Sequence, residues 1–166
     1  MPYKHAIIMT KRTAQKSSGL RLATLLSAFV GLIVALETAT GQSLESADPA
    51  AVDAITAWLK KIDEGRYLGS WVSASAQFQK SISSAEWVSA LDSSRKPLGT
   101  CKKRILASAF PQSTLPDSTG KMLQGQFVIA QFKSSFADLN AALETVTFEK
   151  EGSTWKASGY FLRPDS

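Results

Sequence analysis

The chain has 166 residues, 44% hydrophobic and 20% charged, with a formal net charge of +5. Five cations, Lys4, Lys11, Arg12, Lys16 and Arg21, stand in the first 41 residues; without that segment Lys plus Arg falls from 19 to 14 and Asp plus Glu from 14 to 13, leaving +1. The basic balance therefore belongs to the leader, and the rest lacks the clustered basic footprint that a nucleic-acid partner needs.

The leader itself has an address. Its basic start is followed by Leu22 to Leu36, fifteen uncharged and mostly apolar residues, and by Ala39-Thr40-Gly41, a small-x-small cleavage site. This is the pattern of a secretory signal peptide over residues 1–41, cleaved near Gly41, and it predicts a periplasmic or secreted protein. Fifteen residues rise only about 22 Å as a helix against a bilayer core of roughly 30 Å, so no stable membrane anchor is expected after cleavage. Met9 serves equally well as a start, and the absence of a cysteine after the apolar run leaves a lipoprotein unsupported. Residues 42–48 are small and polar and read as a flexible lead-in, with one domain over 49–166.

Cysteine and histidine exclude several chemistries. The single histidine, His5, lies in the leader, and Cys101 is the only cysteine. Internal disulfides, Cys/His zinc sites, Ser-His-Asp triads and Cys-His pairs are therefore absent from 42–166, and no metal or cofactor is expected. Cys101 remains open between a reactive thiol, an intermolecular bridge and a small core residue at the start of a strand.

The first predicted helix runs from about Pro49 to Glu64. Ala51, Val52, Ile55, Trp58, Leu59 and Ile62 fall within about 120° of one another on a helical wheel, the width of a core-facing stripe. Asp48 suits the N-cap, Pro49 the first helical position and Gly65 the left-handed residue past the end. Tyr67, Leu68, Trp71 and Val72 then mark a second short helix folded back on the first. Ser73 to Ser84 reads as an irregular connection pinned by Phe78 and Ile82. The third helix opens with Ser83-Ser84-Ala85-Glu86, a capping box, buries Trp87, Val88 and Leu91, and closes at Arg95-Lys96-Pro97-Leu98-Gly99.

From Thr100 the period becomes alternating. Strands are predicted at Cys101 to Phe110, Met122 to Ser134, Leu143 to Glu151 and Trp155 to Leu162, with a loop over Pro111 to Lys121, a turn at Asp138 and Asn140, and a tight hairpin at Gly152-Ser153. The fold class is α+β: three N-terminal helices packed on a four-stranded, curved antiparallel sheet.

These residues carry a resemblance. Trp58-Leu59-x-x-Ile62-Asp63-x-Gly65-x-Tyr67-x-x-Ser70-Trp71, Ala74-Ser75-x-x-Phe78, Trp87, Arg95-x-Pro97-Leu98-Gly99, Arg104, Leu115-Pro116, Phe136, Glu144-Thr145-Val146-Thr147 and Gly152-x-x-Trp155-x-x-x-Gly159-Tyr160-Phe161 together resemble the bacterial exported family called domain of unknown function 4019. The helix-Asp-x-Gly-helix opening and the helix-then-sheet order also resemble the nuclear transport factor 2-like cone. That likeness implies a curved sheet around a helix with a pocket at the open end, and it carries over no activity.

Candidate site residues are polar groups on apolar faces. Glu144 shares its strand face with Val146 and Phe148, and reads either as a pocket carboxylate or as the ion partner of Arg104. Tyr67, Trp71 and Tyr160 have polar tips able to orient a ligand, whereas Trp58, Trp87 and Trp155 read as core. Asp63 reads as a capping or loop-bonding group, and Lys102, Lys103 and Arg104 as a solvated strand edge. The functional expectation is a non-catalytic envelope module that binds a small apolar ligand or a protein, or forms a homodimer through the sheet. The alternative is a small cone-fold hydrolase, isomerase or dehydratase-like enzyme using Glu144 or Asp63 with Tyr67 or Tyr160 as acid and base.

Overall fold

The computed structural model describes residues 46–116 and 120–165. The predicted signal peptide and residues 42–45 of the lead-in lie outside them. The end of the lead-in is tethered, since Ala47 is buried in the core and Asp48 caps the first helix through a 2.9 Å bond from the Ala50 N–H.

Helix α1 (Pro49–Asp63) buries Ala51, Ile55, Trp58, Leu59 and Ile62, with Val52 at the stripe's margin, as its periodicity predicts. Glu64 and Gly65, the latter at φ +72°, end it. Helix α2 (Tyr67–Val72) folds back at once. The expected irregular connection instead contains helix α3 (Ala76–Ser81), capped by Ser75, whose hydroxyl accepts the Phe78 N–H at 3.1 Å. Six residues with one buried side chain have no period to detect, so the cap was its only sequence signal. Phe78 and Ile82 nevertheless pin the segment to the core as expected. Helix α4 (Ser84–Ser94) carries the full capping box: Ser83 Oγ accepts the Glu86 N–H at 3.3 Å and Glu86 Oε2 accepts the Ser83 N–H at 3.0 Å. A 3-10 turn, Lys96–Leu98, follows.

The sheet comprises β1 (Cys101–Pro116), β2 (Met122–Phe136), β3 (Ala142–Glu151) and β4 (Thr154–Pro164), antiparallel throughout and in sequential order. It is curved and does not close, and with the helices it makes the α+β architecture that the change of period implies. β1 runs past the predicted end at Phe110, through Pro111, so most of the predicted loop is strand. Proline is tolerated there because β1 is an edge, where a missing N–H breaks no central ladder. Register shifts after Cys101, Leu106, Gln112 and Thr147 bend the strands.

One sheet face packs under the helices through Val128, Ala130, Phe132 and Phe136 of β2, Val146 and Phe148 of β3, and Ala157, Tyr160 and Leu162 of β4. Trp58 and Trp87 lie inside this layer as expected, but Trp155 lies at its margin, half-buried, with Nε1 donating to Asp48 Oδ2 at 3.0 Å. An indole needs a polar partner when covered, and the helix N-cap supplies one.

Two glycines at positive φ separate strain from crowding. A Cβ on Gly99 would sit 2.8 Å from Ala137 Cβ and 3.0 Å from an Asp138 oxygen, whereas one on Gly152 would meet nothing. Gly152→Ala is expected to cost about 1–2 kcal/mol from the left-handed backbone alone, and Gly99→Ala clearly more. Urea unfolding of the two variants side by side measures the difference, and equal losses would refute the crowding.

Candidate functional site

The antiparallel register brings the start of β1, the end of β2, the start of β3 and the end of β4 to one end of the sheet, pairing Arg104 with Ser134, Phe132 with Glu144, and Glu144 with Leu162. Tyr160 lies one diagonal step from Glu144, within reach of a long side chain. Asp63, the last residue of α1, and Arg95, just past α4, come down on this row from the helical layer.

The result is a connected polar network. Glu144 is fully buried. Its Oε1 accepts from Tyr160 Oη at 2.6 Å and Arg104 Nη2 at 3.2 Å, and its Oε2 from Arg104 Nε at 2.7 Å and Ser134 Oγ at 2.5 Å. Arg104 also spans to Asp63, donating from Nη1 to Oδ2 at 2.6 Å and from Nη2 to Oδ1 at 3.0 Å. Asp63 Oδ1 takes a further bond from Arg95 Nη2 at 2.9 Å. Arg95 donates Nη1 to the Gly99 carbonyl at 2.8 Å and lies 4.2 Å from the Phe136 ring centroid, while its buried Nε has no partner. Two guanidiniums and two carboxylates cancel, so the cluster is buried as a neutral unit, the condition under which buried charge is tolerated.

The arrangement holds Asp63 and Tyr160 away from proton transfer at neutral pH and leaves Glu144 no free acceptor. Each Glu144 oxygen already accepts two donors and has no lone pair left for a substrate. Burial raises Asp63, but the hydrogen bonds and charge of Arg104 and Arg95 outweigh it and hold the carboxyl below its ordinary 3.8. Burial first, and then the Glu144 anion, holds the Tyr160 phenol well above 10. An effective acid or base wants a pKa near the working pH, and these two lie on opposite sides of it.

Of the other candidates, Tyr67 is buried near Arg95 and Asp63, with its phenol raised chiefly by burial. Trp71 takes no part in the network: its Nε1 donates to the Ile82 carbonyl at 2.9 Å and joins α2 to the segment before α4. Asp63 is an ion-pair partner rather than the expected capping or loop-bonding group, and Arg104 is turned in from the edge on which Lys102 and Lys103 stand exposed. Arg95 and Ser134 were missed. Ser134 had a signal, because it alternates with Phe132 and Phe136 on an apolar face; Arg95 had none beyond its place before Pro97.

Aromatic rings cluster between the helices and the sheet. Trp58, Phe78, Trp87, Phe148 and Tyr160 pack edge to face or tilted at centroid distances of 5.0 to 6.2 Å. Ser70 serves both indoles, its carbonyl accepting from Trp58 Nε1 at 2.9 Å and its hydroxyl from Trp87 Nε1 at 3.0 Å. An open groove of about 450 Å³ lies at the other end of the sheet, lined by Asp48, Gln112, Gln126, Phe127, Val128 and Trp155 among others. It is roughly 25 Å from Arg104, counting along β1 to Gln112. A side chain on Gly125 would run into the Phe127 ring at 3.1 Å, so the glycine lets that ring fold over the strand.

Residues 54–160, more than half of the chain, match the family model described as protein of unknown function, DUF4019. The chain belongs to this family. No curated protein matches the sequence. The DUF4019 match spans Asp63, Arg95, Arg104, Ser134, Glu144 and Tyr160, so the whole network falls inside the family segment, while Asp48 at the groove falls outside it. Among the described residues, no His/Cys/Asp/Glu group has the makings of a metal site, and no helix is long and apolar enough to cross a membrane.

The network predicts the pH profile of this DUF4019 domain. A depressed carboxyl pKa contributes stability that is complete above the unfolded value and lost as pH falls through the folded one. With no histidine after His5, urea midpoints are expected to stay flat from about pH 8 to 5 and to fall below about pH 4. Asp48, Glu86 and Glu151 are lowered too, by hydrogen bonds first, so Asp63→Asn should shrink the acid fall without abolishing it. Tyr160 has the opposite sign: its raised pKa gives stability present below about pH 10 and lost as pH rises toward the folded value. Tyr67 and Cys101 are raised too, chiefly by burial, so Tyr160→Phe should shrink that alkaline limb without abolishing it, and a limb of unchanged depth would refute the assignment.

Proposed function

We propose that this DUF4019 chain is an exported, non-catalytic binding module of the bacterial envelope, with the groove at Phe127 and Trp155 as its small-ligand site. The observation that carries the reading is the saturation of the buried carboxylate: Glu144 accepts four hydrogen bonds, and Tyr160, which donates one of them, is itself packed against Trp58. The groove, by contrast, offers what recognition needs, two aromatic side chains beside uncharged amides from Gln112 and Gln126. Export is supported by the basic leader, the fifteen-residue apolar run and Ala39-Thr40-Gly41. Within the same reading the fold is a nuclear transport factor 2-like cone, supported by four helices preceding a bent antiparallel sheet; fold alone assigns no chemistry.

Native mass spectrometry of the chain purified from its own periplasm tests this. The expected result is the processed chain carrying a retained small molecule, lost in Ser113→Trp, which fills the groove from an exposed lining position, while far-UV circular dichroism stays unchanged. A bare chain, or a molecule still retained by Ser113→Trp, would overturn the groove reading. Turnover of the retained molecule, abolished by Glu144→Gln, would replace the module with an enzyme.

A further inference from the structure

We propose that two copies of this chain associate antiparallel through the free edges of β1. Among the described residues the strand order gives β1 a neighbour on one side only, while α1 and α3 pack over β3 and β4 at the other side of the sheet. Three of its large apolar side chains face water, Ile105 at 50%, Leu106 at 41% and Phe110 at 38% exposure. An edge with unpaired backbone groups and exposed apolar side chains is a template for another strand.

The register identifies that strand as a second copy of β1. The shift between Leu106 and Ser108 takes Ala107 out of alternation, so Ile105 and Phe110, paired with Lys133 and Ile129, share the outer face. Leu106 and Ala109, paired with Phe132 and Ala130, share the helix-facing side. A two-fold axis between Ala107 and Ser108 then sets Ile105 opposite Phe110 of the second copy, and Leu106 opposite its Ala109, each pair on a common face. Charge selects the same direction. Lys102, Lys103 and Arg104 begin the strand and nothing from Ile105 to Pro116 is charged. Antiparallel pairing sets Lys103 against Gln112, whereas parallel pairing stacks lysine on lysine. Pro111, lacking an N–H, ends the ladder at each side and limits it to Ile105–Phe110. This association does not depend on whether the groove is occupied.

Sedimentation velocity over a concentration series of the chain as exported tests it. A concentration-dependent dimer is expected, weakened about tenfold or more by Ile105→Lys and unaffected by Thr145→Lys, which lies on the outer face of the central strand β3. Combining Ile105→Lys with Phe110→Glu should restore the dimer, because the introduced charges oppose each other only in this register. Unchanged far-UV circular dichroism of the monomeric variant separates lost pairing from lost folding, since dissociation alone lowers the unfolding temperature by mass action. A monomer at every concentration would overturn the proposal, as would a dimer that Thr145→Lys breaks and Ile105→Lys does not, which would mean pairing face to face. A monomer whose edge captures a different envelope protein in an Ile105-dependent way would overturn it too.

Discussion

Replacing Arg104 by methionine is expected to destabilise the fold by about 3–5 kcal/mol, because it strands charge that the fold has already removed from water. The substitution deletes four hydrogen bonds and leaves Glu144, fully buried, with only the hydroxyls of Ser134 and Tyr160. Asp63 is left to Arg95 alone. Against a typical total of about 5–15 kcal/mol, this is a large fraction, and calorimetry should show a fall in Tm on the order of 10–20 °C. The pair Arg104→Met with Glu144→Leu should cost less than the two singles summed, since each single leaves its partner uncompensated. Additive losses would show that the bridge carries no coupling energy. Deleting the exposed Lys60–Glu64 pair on α1 is the contrast: water and salt screen it, and the change should stay within about 0.5 kcal/mol.

Trp87→Ala should cost a similar amount, about 3–5 kcal/mol, by a different mechanism. Trp87 is fully buried and packs edge-on to Phe78 at 5.0 Å and to Tyr160 at 6.2 Å. Truncation leaves a cavity among rings whose backbones belong to α1, α3 and β4, elements that cannot all move in to fill it. Trp87→Phe keeps most of the apolar contact and loses mainly the indole bond to Ser70 Oγ, so it should cost less than the alanine change. Urea denaturation of both variants measures the gap. Equal losses would mean that the hydrogen bond, rather than the ring packing, dominates at this site.

Most elements of this fold were legible because their signals are local. The stripe from Ala51 to Ile62, the cap at Asp48, the box at Ser83 and Glu86 and the hairpin glycine at position 152 each depend on residues within a few positions of one another. Alternation in β3 likewise placed Glu144 on an apolar face, and a buried carboxylate there demanded a cation. Failures came where local signals were weak or misleading. Helix α3 is too short to show a period, and Pro111 and Pro116 read as loop until β1 is known to lie at an edge.

By itself, then, the sequence determined the order and type of the elements apart from helix α3, and the absence of histidine and paired cysteine from 42–166, and it named Arg104 as one of two readings for Glu144, the one the structure shows. Only the tertiary structure decided that Asp63 and Arg95 join them, that Trp71 stays apart, and that Tyr160 bonds to Glu144 while packing against Trp58. Asp63 was half-visible, four residues after Leu59 and so on the buried stripe, but a helix-end aspartate fits a cap equally well. Its real partners lie 32 and 41 residues away. Contacts of that span depend on how α1 and α4 dock on the sheet, and docking is set by the summed packing of many side chains, which no short stretch of sequence contains.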